Sequence, residues 1–243
     1  MTPLLELKNV SFSYENNEKV LDDICLHVHP GESIGLIGAN GAGKSTLMKL
    51  IVGLYKDAFE GTIEVEGLLV TKKDIPKVRE KIGYVFQDSE NQLFMSTVYE
   101  DIAFGPRNYG YSEAEVENRV RRALEQVKIE NLRDKPIYKL SGGEKKLAAI
   151  ATILSLDPKL ILMDEPSVAL DPKNRRNLIN ILNGLNQVKL IASHDLDFIL
   201  DTCERTILIG EGKIIADGKT EEILRNKELL EKHSLELPMR YQV

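Results

Sequence analysis

The nine residues Gly38-Ala39-Asn40-Gly41-Ala42-Gly43-Lys44-Ser45-Thr46 constrain this chain more than any other segment. They meet the fixed positions of the pattern G-x-x-x-x-G-K-[ST], which is credible only with a strand before it and a helix after it. Both neighbours are legible. Ser33 to Ile37 is an apolar run suited to a buried strand, and Leu47, Met48, Leu50 and Ile51 space a helix beginning near Lys44. The glycines let backbone N–H groups converge on an anion with no Cβ in the way. The helix start adds unpaired N–H groups and a partial positive charge. The expectation is a triphosphate cradle, with Lys44 reaching the β- and γ-phosphates and the Ser45 hydroxyl offered to Mg²⁺.

Composition narrows the partners. A chain of 243 residues with 42% hydrophobic content can bury a core as one large domain or two small ones. A net charge of −6 and a pI near 5.4 argue against nucleic acid as the main partner, because a phosphate backbone demands a basic face. Cys25 and Cys203 lie far apart with no C-x-x-C, which predicts two reduced thiols in a cytosolic protein. Met1 to Val10 has no basic n-region or apolar h-region. The longest nearly apolar run, Leu147 to Leu156, is far short of the roughly 20 residues of a membrane span. The chain is expected to be soluble and to reach a membrane only through a partner.

Periodicity gives the organisation. Leu4 to Tyr14 alternates apolar and polar residues, Val20 to His29 is a second extended segment, and Asn16-Asn17-Glu18-Lys19 reads as a polar turn between them. Thr62 to Glu66 and Lys81 to Phe86 are further strands, and Asp88 to Tyr111 reads as loop-rich with exposed-looking apolar residues. Ser112-Glu113-Ala114-Glu115 predicts a capping box before a helix with Val116, Val120, Leu124 and Val127 on one face. Leu147 to Leu154 reads as a buried helix. Leu160 to Met163 and Leu190 to Ser193 are continuous apolar runs, as in parallel strands covered on both faces. Thr206 to Ile209 and Lys213 to Ala216 form a terminal hairpin around Gly210-Glu211-Gly212, and Thr220-Glu221-Glu222 opens a last polar helix. The expected fold class is α/β: a single domain over 1–243, its mainly parallel core and antiparallel β layer in 1–88 and 158–243, and a helical subdomain in 89–157.

Two further motifs carry chemistry. Leu160 to Met163 runs into Asp164-Glu165, and at the carboxyl end of a buried strand Asp164 would emerge beside the phosphate loop to hold Mg²⁺. Glu165, pointing the other way, could polarise an attacking water. Ser141-Gly142-Gly143, after Leu140 and before Glu144, makes a second anion site at a helix start. One chain has no obvious use for two such sites on one γ-phosphate. Two chains head to tail do, with ATP between the loop of one and the turn of the other.

These motifs, in this order, resemble the nucleotide-binding subunit of an ATP-binding cassette (ABC) transporter, over nearly the whole chain. Gly38 to Ser45 resembles Walker A, Gln87 the Q-loop, Leu140 to Glu144 the signature and Leu160 to Glu165 Walker B. Ala169-Leu170-Asp171 resembles the D-loop and His194 the switch histidine. The resemblance implies that Tyr14 stacks on adenine, that Gln87 joins Ser45 and Asp164 around Mg²⁺, and that Asp171 is a nucleotide-binding residue. It also implies ATP hydrolysis, a homo- or heterodimer of such subunits, and a peripheral place on the cytoplasmic face of the cell membrane. Val85-Phe86-Gln87-Asp88, Gln92-Leu93-Phe94 and Glu100 to Pro106 are similar to a narrower group, the energy-coupling factor (ECF) ATPases of cobalt, nickel and vitamin uptake. Integral membrane subunits are then expected to dock near Gln87 to Phe104. Departures are Glu144 where Gln is commoner, Lys145-Lys146-Leu147-Ala148, and Ser167-Val168; none removes a ligand or the base. The alternatives are another importer's ATPase or a non-transport ABC protein, although this chain has neither a coiled-coil insertion nor a second cassette. A phosphate-loop kinase or GTPase leaves Ser141-Gly142-Gly143 and His194 unexplained, and no N-K-x-D is present.

Other residues have plainer readings. His194 could be a surface or capping histidine, Gln87 a strand-end amide and Tyr14 simple core. His27 and His29 share a strand face without a third ligand. Leu93, Phe94, Met95, Val98 and Phe104 are either the core of the helical insertion or a groove for a membrane protein's helix.

Overall fold

The structure, a computed structural model, describes residues 2–14, 18–55 and 58–242. Asn16 and Asn17 of the expected polar turn lie outside these residues, and Lys19 already begins a strand.

The chain opens with strands β1 (Leu5–Ser13) and β2 (Lys19–Val28), and β3 (Ser33–Ile37) then leads through the glycine loop into helix α1 (Lys44–Ile51). β4 (Phe59–Val65) and β5 (Leu68–Leu69) precede α2 (Ile75–Lys81) and β6 (Ile82–Val85). Three helices follow: α3 (Val98–Asn108), α4 (Glu113–Val127) and α5 (Gly142–Leu154). Then β7 (Leu160–Asp164), α6 (Pro172–Gly184), β8 (Val188–Ala192) and α7 (Leu196–Thr202) alternate. The hairpin β9 (Arg205–Gly210) and β10 (Lys213–Lys219) leads to α8 (Thr220–Arg225) and α9 (Lys227–Lys232).

The strands form two sheets. One is antiparallel in the order β2-β1-β4-β5, and the other has the order β10-β9-β3-β8-β7-β6. In the second, β9, β3, β8, β7 and β6 run parallel and β10 is antiparallel. Its central strands β3, β8 and β7 are buried along their whole length because both faces are covered. Ile161 and Met163 of β7 join the core shared with α3, α4 and α5, while Leu160 and Leu162 join the core shared with α1 and the antiparallel sheet. The register places Leu36, Ala192 and Asp164 side by side at the carboxyl ends of β3, β8 and β7. The ends of an open parallel sheet are where ligands bind, and these three ends define the site.

The helical segment departs from the sequence reading. Residues 98–108 are not loop but the eleven-residue helix α3. Gly105-Pro106 reads as a breaker, yet the proline sits in the last turn, and the Thr97 side chain caps the first. The buried Asp101 carboxylate accepts the Phe94 and Met95 amides and ties the preceding loop to α3. Leu93, Val98 and Ile102 are core, whereas Phe94 is 64% exposed and packs edge-on against Phe104, so that apolar set divides. Ser112 does cap α4, but the Glu115 carboxylate pairs with Arg119 rather than completing a capping box. The reciprocal box is at Ser141 and Glu144. Both cysteines are free thiols.

Leu162 is fully buried on the central strand β7. Leu162→Ala should cost about 3 kcal/mol, read as a fall in the urea midpoint at unchanged slope. A wild-type midpoint would mean that this face of the sheet is not closed.

Candidate active site

The phosphate loop is shaped by what surrounds it. Gly38 has φ +153°, and a Cβ there would enter the Ile209 carbonyl of β9. Gly43 has φ +103° as the α1 N-cap, and a Cβ would stand 2.7 Å from Leu21 Cδ2. Both positions therefore require glycine. Lys44 is 8% exposed and its Nζ donates to the carbonyls of Gly38 (2.7 Å) and Ala39 (3.1 Å). Burial lowers its pKa, against the pull of Glu165 and Asp164.

The acids at the end of β7 have separate partners. The Ser45 hydroxyl donates to Asp164 Oδ1 at 3.0 Å, and the Tyr84 hydroxyl donates to Oδ2 at 3.4 Å. Burial and the Asp164 charge raise the Tyr84 pKa, so its proton stays on. Glu165 bends away with φ +47°. Its carboxylate accepts Ser193 Oγ (3.1 Å) and the His194 amide (3.1 Å), and lies 2.9 Å from His194 Nδ1. Glu165 is thus fixed from the end of β8.

One cleft of about 1000 Å³ is lined by Tyr14, Gly38 through Thr46, Gln87, Glu165, His194, Ser234 and Leu235. Tyr14 is anchored by its hydroxyl, 3.0 Å from Thr46 Oγ1, and stands edge-on to Phe12. Among the described residues no group of three or more His, Cys, Asp or Glu could hold a metal, and His27 bonds Glu6 at 3.0 Å. The oxygens of Ser45 and Asp164, with Gln87 at the rim, do suit a small hard cation that keeps water or phosphate among its ligands.

Ser141, Gly142, Gly143 and Asp171 do not line this cleft. Ser141 caps α5, accepting the Glu144 amide while the Glu144 carboxylate accepts the Ser141 amide. Lys135 Nζ bonds both Glu144 oxygens at 3.0 Å. The Ser141 amide, followed by Lys135, holds the Glu144 carboxyl below its usual range. Asp171 caps α6 and holds the Asn174 amide at 2.6 Å. That amide fills the space a Cβ on Gly143 would need, 2.6 Å from Asn174 Cγ. The turn at Ser141 to Gly143 and the Asp171 segment are therefore packed together, and neither lines the cleft.

Sequence reasoning missed Tyr84, Ser193, Asn174 and the tail residues Ser234 and Leu235. The tail has a signal in retrospect: Ser234 has φ +58° after α9, and Leu235 closes the turn through its amide on the Leu230 carbonyl.

Fold and cleft together define an ATP-binding α/β protein of the phosphate-loop class. The model of the ABC transporter family matches residues 21–168, and the chain belongs to that family. It is similar to a Geobacter sulfurreducens protein named as an ABC transporter ATP-binding protein, at 45% identity over 98% of this chain and 96% of the relative. It is also similar to the energy-coupling factor transporter ATP-binding protein EcfA of Carboxydothermus hydrogenoformans, at 37% identity over 98% of this chain and 89% of that protein. Among solved structures it resembles cbiO1 from Clostridium perfringens, part of the ABC transporter complex cbiONQ, with a TM-score of 0.86 and 35% identity over 96% of this chain and 94% of the other. A dimeric ATP-binding cassette in a post-hydrolysis state, bound to ADP and Pi, gives a TM-score of 0.78 and 28% identity over 89% and 98%.

Gly143→Ala should destabilise the protein by about 1–3 kcal/mol, because Asn174 must give way. In an Asn174→Ala background the same change should cost much less. Equal costs in the two backgrounds, measured by chemical denaturation, would show that the two segments are not packed together.

Proposed function

We propose that this chain is the ATP-hydrolysing subunit of an ECF-type importer for a metal ion such as cobalt or nickel, or for a vitamin. The carrying observation is the split between the cleft and the turn. Phosphate loop, Glu165 and His194 line one cleft and Asp164 is bonded to Ser45 beside it, whereas the exposed turn at Ser141-Gly142 does not line it. A second copy or a related subunit, placed head to tail, supplies that turn and Asp171. In the names of similar proteins, EcfA and the cbiONQ complex support the ECF reading.

The chemistry follows from the residues. Tyr14 presents a ring to the adenine. Lys44 leaves the loop carbonyls for the β- and γ-phosphates, and the loop amides surround them. Ser45, Asp164 and Gln87 hold Mg²⁺, which neutralises phosphate charge when bound. Glu165, held by Ser193 and the His194 amide, orients the attacking water and accepts its proton. His194 is constrained by its own bond. A neutral ring that donates from Nδ1 to Glu165 has no second N–H for the γ-phosphate, so that contact needs the imidazolium or a turned ring.

The membrane side is a cleft lined by Glu90, Leu93, Phe94, Met95, Ile137, Tyr138 and Lys145. Phe94 and Tyr138, 64% and 78% exposed, offer apolar surface to a helix of the membrane subunit. No described helix is long and apolar enough to cross a membrane, which suits a peripheral place on the cytoplasmic face. Residues 89–157 form the helical subdomain that carries both this surface and the anion turn.

Glu165→Gln should bind ATP and associate into dimers by size-exclusion chromatography, while turnover falls by about 100-fold or more. Wild-type turnover in that variant would remove Glu165 from its role. Chelation of divalent ions by EDTA should abolish hydrolysis, and added Mg²⁺ should restore it; hydrolysis that persists in EDTA would rule out the cation site. An integral membrane protein should co-purify with the chain, and recovery of a ribosome or duplex DNA instead would sink the transport reading.

A further inference from the structure

Lys146 is a buried cation that the mechanism above leaves unused. It lies on α5, one turn beyond the Ser141 cap, and is 3% exposed. Its Nζ donates to the backbone carbonyls of Gln87 (2.7 Å) and Phe86 (3.2 Å), some 60 residues away in sequence. Both acceptors are neutral. An ammonium buried against neutral carbonyls is costly unless its hydrogen bonds are strong. Packing alone would be met by methionine. Lysine adds to that packing the two hydrogen bonds to Phe86 and Gln87.

Two further fasteners join the same pieces. The Gln92 amide nitrogen donates to the Ala149 carbonyl (2.7 Å) and to Thr152 Oγ1 (3.0 Å), while its oxygen accepts the Phe86 amide (3.2 Å). Lys145 pairs with Glu90. The segment from Phe86 to Gln92 is thus tied at three points to α5. That helix begins at the Ser141-Gly142-Gly143 turn, and only the Lys146 tie grips the residue whose side chain lines the cleft.

We infer that Lys146 is a positioning residue for Gln87, clamping its backbone to the helix that carries the anion turn. Nucleotide contact at Gln87 and the turn offered to the neighbouring nucleotide then move as one body. The inference rests on the ATPase reading above and adds to it a residue outside the recognised motifs.

The test is a double-mutant cycle of Lys146→Met and Gln87→Ala, with kcat and KM for ATP measured separately and folding checked by thermal melts. Lys146→Met should lower kcat about 10-fold with KM changed less than about two-fold, the signature of lost positioning rather than lost binding. Lys146→Arg, which keeps the charge and the donors, should stay within about three-fold of wild type. In the Gln87→Ala background Lys146→Met should add less than about two-fold, because the two residues act through one contact. If Lys146→Met lacks a cooperative melt, Lys146→Gln takes its place under the same criteria. A full 10-fold loss on top of Gln87→Ala, or a rise in KM matching the fall in kcat, overturns the inference while the ATPase reading stands. A wild-type protein that does not hydrolyse ATP overturns both.

Discussion

The hydrogen-bonded register of β3, β8 and β7 decides where chemistry can occur in this molecule. These strands are buried on both faces, so polar groups can leave the sheet only at its ends. Pairing of Leu36 with Ala192, and of Ala192 with Asp164, sets three such exits side by side. The glycine loop continues β3, Asp164 and Glu165 end β7, and Ser193 and His194 continue β8. The 3.0 Å bond from Ser45 to Asp164 joins the exits of β3 and β7, and the Glu165 contacts to Ser193 and His194 join those of β7 and β8. A register slip of one residue would turn Asp164 toward a core face and dissolve both links at once.

Hydrogen bonding explains why this crowding is tolerable. One ammonium and two carboxylates, each under 10% exposed, share a small volume. Each is hydrogen-bonded, as buried polar groups must be. Lys44 takes loop carbonyls, Asp164 two hydroxyls, and Glu165 one hydroxyl and an amide. The left-handed backbone at Glu165 separates the two adjacent carboxylates toward different partners. The proposed division of labour, metal ligation for one acid and water activation for the other, follows from that bend.

Local pattern made most of this legible. The strand–loop–helix motif, the apolar run ending in two acids and the serine–glycine turn each state their geometry within a dozen residues, and β3 was readable to the residue. What stayed hidden is long-range or masked by a competing signal. α3 carries Gly105-Pro106 in its last turn, a pair that is a breaker signal in sequence. α6 and α7 are capped by Asp171 and Asp195, and a single aspartate before a short helix differs little in sequence from any polar loop residue. Tyr84 reaches Asp164, Asn174 reaches Gly143 and Lys146 reaches Gln87 only after the sheet and helices have assembled. No local spacing encodes such contacts.

The separation of the anion turn from the cleft has an energetic consequence for the proposed sandwich. If ATP lies between two chains, it binds the associated state and contributes to both surfaces, so ATP and association strengthen each other by the same factor. The turn must then approach a triphosphate, and in this chain it carries a glutamate where Gln is commoner. A bare carboxylate would oppose that approach. Here Glu144 is held by the Ser141 amide and by Lys135, both at hydrogen-bonding distance, so the pair is neutral as a unit. The remaining field at the turn is that of the α5 N-terminus, which favours an anion. The lysine eight residues upstream of Gly143 therefore allows a glutamate to stand beside a phosphate-facing turn without repelling the ligand that is to join the two chains.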